Sequence, residues 1–452
     1  MKIINPATDE VIKEIQEDNI DSIAKKFEKA KVAQVDWKKT DLEYRVACIQ
    51  KFGELLKKNL ENLASDLTAE TGKPLQESKN EVNGAAFKLS FFIEESKRHL
   101  QATQVHDDGT TTEVIAYDPL GVITNISAWN YPYLVGVNIF IPALITGNAV
   151  LYKPSEFALL TGQNITKLLH EAGIPEFVFQ MIVGAKEAGE ALLELPLDGY
   201  FFTGSYQTGK HIATKVAPKL VPVGLELGGK DPLYITDEVD VKSAAENALE
   251  GAFYNNGQSC CSVERIYVHE KIYDEFESHF INKAEELKAG DPLDNSNTQG
   301  AITRKQHLDF LEGQVKDAID KGANLVVGGK RIEGKGSFFM PTVLTNVTHE
   351  MSVMKDESFG PIIGLMKVKD DNEAISLMND TEFGLTSAVF TKNQKRGEAI
   401  LEQINSGTGY LNCCDRVSGY LPWSGRGHSG VGSTLSKHGL YAFVQPKGYH
   451  FR

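Results

Sequence analysis

Cysteine is scarce, with five in 452 residues. That is too few for a disulfide scaffold, and the odd count leaves at least one thiol over. Cys48 stands alone and the rest form the adjacent pairs Cys260-Cys261 and Cys413-Cys414, without the C-x-x-C spacing of a zinc or redox motif. Positive charge is also in deficit: 47 Lys and Arg face 61 Asp and Glu, a formal net charge of −14. Such a field repels phosphate backbones and anionic bilayers, so no nucleic-acid or membrane partner is expected. Long apolar runs are missing as well. The most apolar stretch, 133–144, contains Asn138 and Pro142 and is too short to span a bilayer. The 11 histidines are scattered with no H-E-x-x-H spacing, so no metal centre is expected. Met1-Lys2-Ile3-Ile4-Asn5-Pro6 has no basic segment leading into an apolar run, so the expected location is cytoplasmic. Neither a repeat of about 20–50 residues nor a low-complexity segment is evident.

What is present is ordinary globular composition, 41% hydrophobic and 24% charged. The length suggests about three structural units and at least two cores. The first hundred residues are helix-rich: Tyr44, Ala47, Cys48, Phe52, Leu55 and Leu56 recur at helical spacing. The polar turn His106-Asp107-Asp108-Gly109, followed by Thr110 to Ala116, predicts a strand pair. From Gly121 onward β-rich runs alternate with helical ones: 122–126, the helical 158–171, 181–183, the helical 187–195, and 200–202. A second alternating set runs from Asp231 to Leu411, with strand candidates at 265–268, 325–327 and 388–391. This is the pattern of parallel sheets with crossover helices, and it predicts two α/β domains in tandem.

Four segments carry candidate chemistry. In Asn256-Gly257-Gln258-Ser259-Cys260-Cys261 a thiol follows a turn near a helix end, where a usable thiolate forms; a buried core pair is the alternative. In Leu225-Glu226-Leu227-Gly228-Gly229-Lys230 an acid between leucines suits a carboxylate beside a ligand, or else a strand-end turn. Phe202-Thr203-Gly204-Ser205 reads as a strand opening a helix, either a pyrophosphate cradle or a common turn. Trp129-Asn130-Tyr131-Pro132-Tyr133 offers a side-chain amide suited to an oxyanion, or an aromatic core cluster. A literal G-x-G-x-x-G at Gly425, Gly427 and Gly430 lies too near the C-terminus for a βαβ unit and reads as a tight turn.

Taken in order, these segments resemble the aldehyde dehydrogenase superfamily over essentially the whole chain. The match runs from Asn5-Pro6-Ala7-Thr8, through Gly173-Ile174-Pro175-Glu176, the three segments around Thr203, Glu226 and Cys260, and Glu357-Ser358-Phe359-Gly360-Pro361, to Gly430-Val431-Gly432. The resemblance implies an α/β fold with two Rossmann-like domains and a small β oligomerisation element. Residues 1–100 and 119–228 would form the dinucleotide-binding domain and 229–411 the catalytic domain, with 101–118 and 432–452 as the oligomerisation element. It implies a homodimer or homotetramer that oxidises an aldehyde to a carboxylic acid with NAD(P).

The implied roles follow residue by residue. Cys260 attacks the carbonyl, Asn130 and the Cys260 backbone N–H stabilise the oxyanion, and Glu226 activates the hydrolytic water, for which burial must raise its pKa. Lys153 and Glu156 would hold the adenine ribose, Gly204 and Ser205 the pyrophosphate, and Glu357 and Phe359 the nicotinamide ribose. Trp129, Ser155, Leu227 and Gly228 complete the cofactor set. The Glu156 carboxylate favours NAD over NADP, because it repels a 2′-phosphate.

Two departures bear on substrate and proton transfer. Many family members place a lysine or arginine shortly after the asparagine; here those positions hold Asn138 and Ile139, so no lysine role carries over. The usual Pro-Phe-Gly-Gly is replaced by Pro422-Trp423-Ser424-Gly425. Asn412-Cys413-Cys414-Asp415-Arg416-Val417 resembles a loop of some succinate-semialdehyde members, so Arg416 would bind a substrate carboxylate, or else pair with Asp415 or make an oligomer contact. Tyr133, Val137 and Trp423 would otherwise form an apolar tunnel. Cys261 reads as a packed small residue or a redox partner of Cys260. A non-enzymatic protein on this fold, and a relative that passes the acyl group to CoA, are the other readings; retention of Cys260, Glu226 and Asn130 together argues against the first, and Glu226 favours hydrolysis over the second.

Overall fold

The computed structural model describes residues 1–452. Two mostly parallel sheets dominate it. The first has six strands in the order Gly430–Val431, Val223–Glu226, Gly199–Thr203, Val122–Ile126, Ala149–Lys153, Phe179–Met181. The second has seven, in the order Asn324–Val327, Thr342–Thr345, Ile362–Val368, Val263–His269, Asp231–Ile235, Thr386–Phe390, Thr408–Leu411. Only the edge strands Gly430–Val431 and Asn324–Val327 run antiparallel. Central strands such as Val122–Ile126 and Asp231–Ile235 are buried at every position, as sheets covered on both faces require. Alternate residues of the second sheet feed separate cores: Leu233, Ile235, Ile266 and Val268 on one face, Tyr234 and Tyr267 on the other.

The helices of the first hundred residues join the core of the first sheet. Helix Leu42–Lys58 buries Val46, Ile49, Phe52 and Leu56, so its apolar stripe is centred one step away from Tyr44, which is exposed. Cys48 is buried within that core. The expected strand pair is present as Thr103–Asp107 and Thr112–Pro119, joined by Val444–Phe451 in a three-stranded antiparallel sheet.

The C-terminal segment departs from the expected boundary at 432. Leu435, Leu440 and Phe443 belong to the core of the first sheet, and only Val444–Phe451 reaches the three-stranded sheet. The G-x-G-x-x-G segment does form a tight turn, with Gly427 and Gly430 at positive φ. It then lays Gly430 and Val431 against Glu226 and Leu225 as an added edge strand. This places residues from near the C-terminus beside the candidate base.

Arg265 shows how the second sheet is tied down. It is fully buried on the strand Val263–His269. Its Nε donates to Lys230 O at 2.9 Å, and its terminal nitrogens donate to Leu377 O at 3.1 Å and Met378 O at 3.0 Å. The last two are terminal carbonyls of helix Asp371–Asn379; Leu377 O also accepts from the Asp380 N–H at 3.2 Å, and the helix dipole favours a cation there. Arg265→Met is expected to lower unfolding free energy by about 3 kcal/mol or more, since several buried acceptors lose a charged donor. Equilibrium urea unfolding checks this.

Candidate active site

Cys260 is placed by an unusual turn. Helix Val241–Phe253 ends in a 3₁₀ segment, Tyr254–Gly257, where Asn255, Asn256 and Gly257 have φ of 53°, 56° and 65°. Left-handed backbone suits Asn and Gly, and side-chain bonds hold it in place. Asn255 Nδ2 donates to Gln258 O at 3.1 Å, and Asn256 Nδ2 to Gly300 O at 2.7 Å. At Gly257 a Cβ would lie 2.4 Å from Gly360 O, so only glycine fits. The turn leaves Cys260 half-buried at a cavity of about 470 Å³.

Cys261, its neighbour, is buried and chemically different. Its Sγ donates to Asp415 Oδ1 at 3.1 Å. Its thiol pKa is pushed well up by the hydrogen bond with Cys260, by burial and by the Asp415 charge. The thiol at 261 therefore stays protonated while that at 260 faces the cavity. Asp415 is itself pushed up to about 6 by burial.

Asn130 and Glu226 come from the first sheet. Asn130 Nδ2 donates to Gln258 O at 3.1 Å, which ties the amide to the turn carrying Cys260 and leaves its second N–H free of that bond. Glu226 ends the strand Val223–Glu226 and lines the same cavity as Cys260. Thr434 Oγ1 donates to its Oε1. Burial pushes Glu226 up to about 7, against that hydrogen bond and the Lys88 charge.

A buried ion pair clamps the Asn130 segment. Lys73 Nζ meets Glu81 Oε2, donates to Asn130 O at 2.7 Å and lies 3.8 Å from the Tyr131 ring centroid. Glu81 Oε1 accepts from Tyr133 N at 2.8 Å. Both side chains are essentially inaccessible. Sequence reading missed this pair, because no local spacing connects Lys73 to a loop at 130.

The predicted cofactor residues gather at the carboxyl ends of the first sheet's strands, where ligands of such sheets bind. Lys153 ends Ala149–Lys153, with Ser155 and Glu156 beyond it. Gly204 and Ser205 join Gly199–Thr203 to helix Tyr206–Val216, with Ser205 at its N-cap. Glu357 Oε1 accepts from Gly229 N at 3.0 Å and stands over Gly228, where a Cβ would lie 2.3 Å from its carboxylate oxygens. Burial pushes Glu357 up to about 8. Phe359, at φ 48°, packs edge-on against Trp129 at 5.5 Å, and its N–H donates to Glu264 Oε1 at 2.9 Å. Leu227 is buried, and its N–H donates to Ser429 O. Thr203 Oγ1 is buried without a partner, and Lys153 Nζ reaches only Pro154 O, at 3.3 Å. A polyol-phosphate ligand satisfies such groups, so the residues present fit a dinucleotide.

The predicted substrate residues separate. Trp423 and Arg416 line the cavity. Arg416 pairs with Glu250 Oε1 at 3.8 Å, not with Asp415, and is mostly exposed. Tyr133 and Val137 do not line the cavity; both are wholly buried in the core. Pro132 opens the helix Pro132–Ile145, so Leu134, Val135 and Asn138 follow Tyr131 on the cavity face while 133 and 137 turn inward. Phe87, Lys88 and Tyr254 are cavity residues that the sequence did not single out.

The aldehyde dehydrogenase family sequence model matches residues 1–448. The chain belongs to this family, and is accordingly an oxidoreductase that oxidises aldehydes with NAD(P). It is 33% identical to a succinate-semialdehyde dehydrogenase [NADP(+)] of Deinococcus radiodurans, over 98% of this chain and 93% of the relative. It is 32% identical to a 3,6-anhydro-alpha-L-galactose dehydrogenase of a Vibrio species, over 99% of this chain and 95% of the relative. A crystal structure of Staphylococcus aureus betaine aldehyde dehydrogenase in complex with NAD+ superposes with a TM-score of 0.96 at 32% identity, covering 100% of this chain and 91% of that one.

Lys73→Met leaves Glu81 buried without its counter-ion and frees the Asn130 carbonyl. It is expected to destabilise the fold by about 3–5 kcal/mol. Replacing Glu81 by leucine as well should recover part of that loss, measured by denaturant unfolding of both variants.

Proposed function

We propose that this protein is a non-acylating aldehyde dehydrogenase in which Cys260 is the nucleophile, Asn130 the oxyanion donor and Glu226 the general base. The observation that carries this reading is the convergence of three side chains from two sheets. Cys260 and Glu226 line one cavity, and Asn130 is bonded to the Cys260 turn. The Cys260 thiolate forms a bond to the aldehyde carbon, giving a thiohemiacetal oxyanion. The Asn130 Nδ2–H and the Cys260 backbone N–H donate to that oxygen. When bound, the nicotinamide ring supplies the hydride acceptor. Glu226 then takes a proton from water, the hydroxide adds to the resulting Cys260 thioester, and the thiolate leaves as the carboxylic acid forms. A carboxyl raised to about 7 is a competent base near neutral pH, which supports water over CoA as acyl acceptor.

The first sheet is the dinucleotide-binding domain in this reading, and the second the catalytic domain. Lys153 and Glu156 would hold the adenine ribose, Gly204 and Ser205 the pyrophosphate, and Glu357 and Phe359 the nicotinamide ribose, with Trp129, Ser155, Leu227 and Gly228 around them. Glu156 favours NAD: at ~5 Å and an effective dielectric of ~20, a carboxylate repels each phosphate charge by about 3 kcal/mol. No helix is long and apolar enough to cross a membrane, and the reading is of a cytoplasmic enzyme. Val105, Ile115, Tyr449 and Phe451 are exposed on the three-stranded sheet, which suits a homo-oligomer contact.

A finer substrate reading is an aldehyde with a distal carboxylate, such as succinate semialdehyde. Arg416 supports it, since its guanidinium stands at the cavity with only a loose contact to Glu250.

Two outcomes test these roles. Glu226→Gln, given aldehyde and NAD, should accumulate an acyl adduct on Cys260 detectable by intact mass, while wild-type turnover falls about tenfold per pH unit below about 7. Absence of both the adduct and the acid limb would sink the assignment of Glu226. Arg416→Ala should raise KM for succinate semialdehyde about tenfold, roughly 1.4 kcal/mol, and leave KM for butanal unchanged. An equal change for both aldehydes refutes carboxylate recognition.

A further inference from the structure

Four lysines are buried in this chain: Lys73, Lys88, Lys153 and Lys230. Lys73 and Lys230 each touch a buried carboxylate, Glu81 and Glu264 respectively. Lys153 lies in the proposed ribose site. Lys88 has no carboxylate in contact; its Nζ makes one hydrogen bond, to Asn138 Oδ1 at 3.2 Å. An ammonium carries three N–H groups, so two remain beyond the Asn138 bond on this wall of the Cys260 cavity. A buried cation persists only where a counter-charge offsets its desolvation.

The surrounding groups identify that counter-charge. The carboxylates on this cavity are Glu81, Glu226, Glu250 and Asp415, and the Glu226 charge is the one that most opposes the effect of burial on Lys88. Glu81 is already committed to Lys73, and Asp415 accepts from Cys261 and Ser259. Glu250 and Arg416 face each other with both side chains exposed. Seen from Glu226, Lys88 is the charge that counters burial, and the Thr434 hydroxyl is the other group that does so. The two charges do not touch; they face one cavity from different elements, the helix Leu75–His99 and the strand Val223–Glu226.

We propose that Lys88 is a positioning residue for thioester hydrolysis: its ammonium, aimed by Asn138, holds Glu226 in the ionised form that takes the proton from water. The proposal rests on the reading of Glu226 as base. Proton bookkeeping is simple. Water gives one proton to a Glu226 carboxylate oxygen, its hydroxide bonds to the thioester carbon, and the Cys260 sulfur leaves; Lys88 stays protonated throughout. Burial lowers Lys88 and raises Glu226, and the charge of each opposes that effect on the other. Removing the ammonium must make Glu226 harder to ionise, so the acid limb of hydrolysis moves to higher pH.

The test needs no cofactor. 4-Nitrophenyl acetate acetylates the Cys260 thiol with release of 4-nitrophenolate, and decay of the acetyl-enzyme, followed by intact mass across roughly pH 5–9, reports hydrolysis alone. Lys88→Met and Lys88→Gln should move the acid limb up by about one pH unit, and Lys88→Arg should leave it in place. The glutamine variant keeps a donor for Asn138, so it reports the charge even if the methionine variant fails to fold. An unmoved limb in a folded neutral variant overturns the role of Lys88 and leaves Glu226 as base. Persistence of the limb in Glu226→Gln overturns both readings together.

Discussion

The site depends on the near-complete removal from water of one ion pair, Lys73 with Glu81. Each ion also bonds to backbone of the segment that presents Asn130: the ammonium to the carbonyl of Asn130, the carboxylate to the N–H of Tyr133. Neither ion can relax toward solvent without abandoning that segment. The desolvation they suffer is thereby converted into rigidity at the amide proposed to meet the developing oxyanion. Asn130 in turn bonds to Gln258 O, so rigidity set on the first sheet is transmitted to the turn bearing Cys260 on the second.

That transmission explains why polar chemistry concentrates at the junction of the two sheets. Strand interiors are apolar and closed, whereas the ends of Val223–Glu226 and the left-handed turn at Asn255–Gly257 expose backbone that side chains must satisfy. Adjacent cysteines then acquire different chemistry from position alone. Both line the cavity, but Cys261 is buried and donates to Asp415, whereas Cys260 is half-buried and more open to it.

The alternation of strands and helices from Gly121 onward was readable because parallel strands buried on both faces leave short apolar runs. Cys260 and Glu226 stood out because glycines and polar residues interrupt apolar runs beside them. The partners did not. Thr434 lies 208 positions from Glu226, and Lys88 lies 50 from Asn138; no local pattern encodes such pairings. Lys88, on the helix Leu75–His99, and Lys73, in the connection just before it, look like ordinary surface lysines until tertiary packing buries them. Tyr133 and Val137 were misplaced for a different reason: apolar character places a residue inside, and only the helix phase set by Pro132 decides whether inside means core or cavity.

The edge strand at Gly430–Val431 has a consequence for biosynthesis. A ribosome delivers Glu226 long before the segment that closes its strand and supplies the Thr434 hydroxyl. Until that segment emerges and docks, the strand of Glu226 has an open edge and its carboxylate lacks a partner. The six-stranded sheet is therefore completed, and Glu226 gains its hydroxyl partner, only after all the strands of the second sheet have been synthesised.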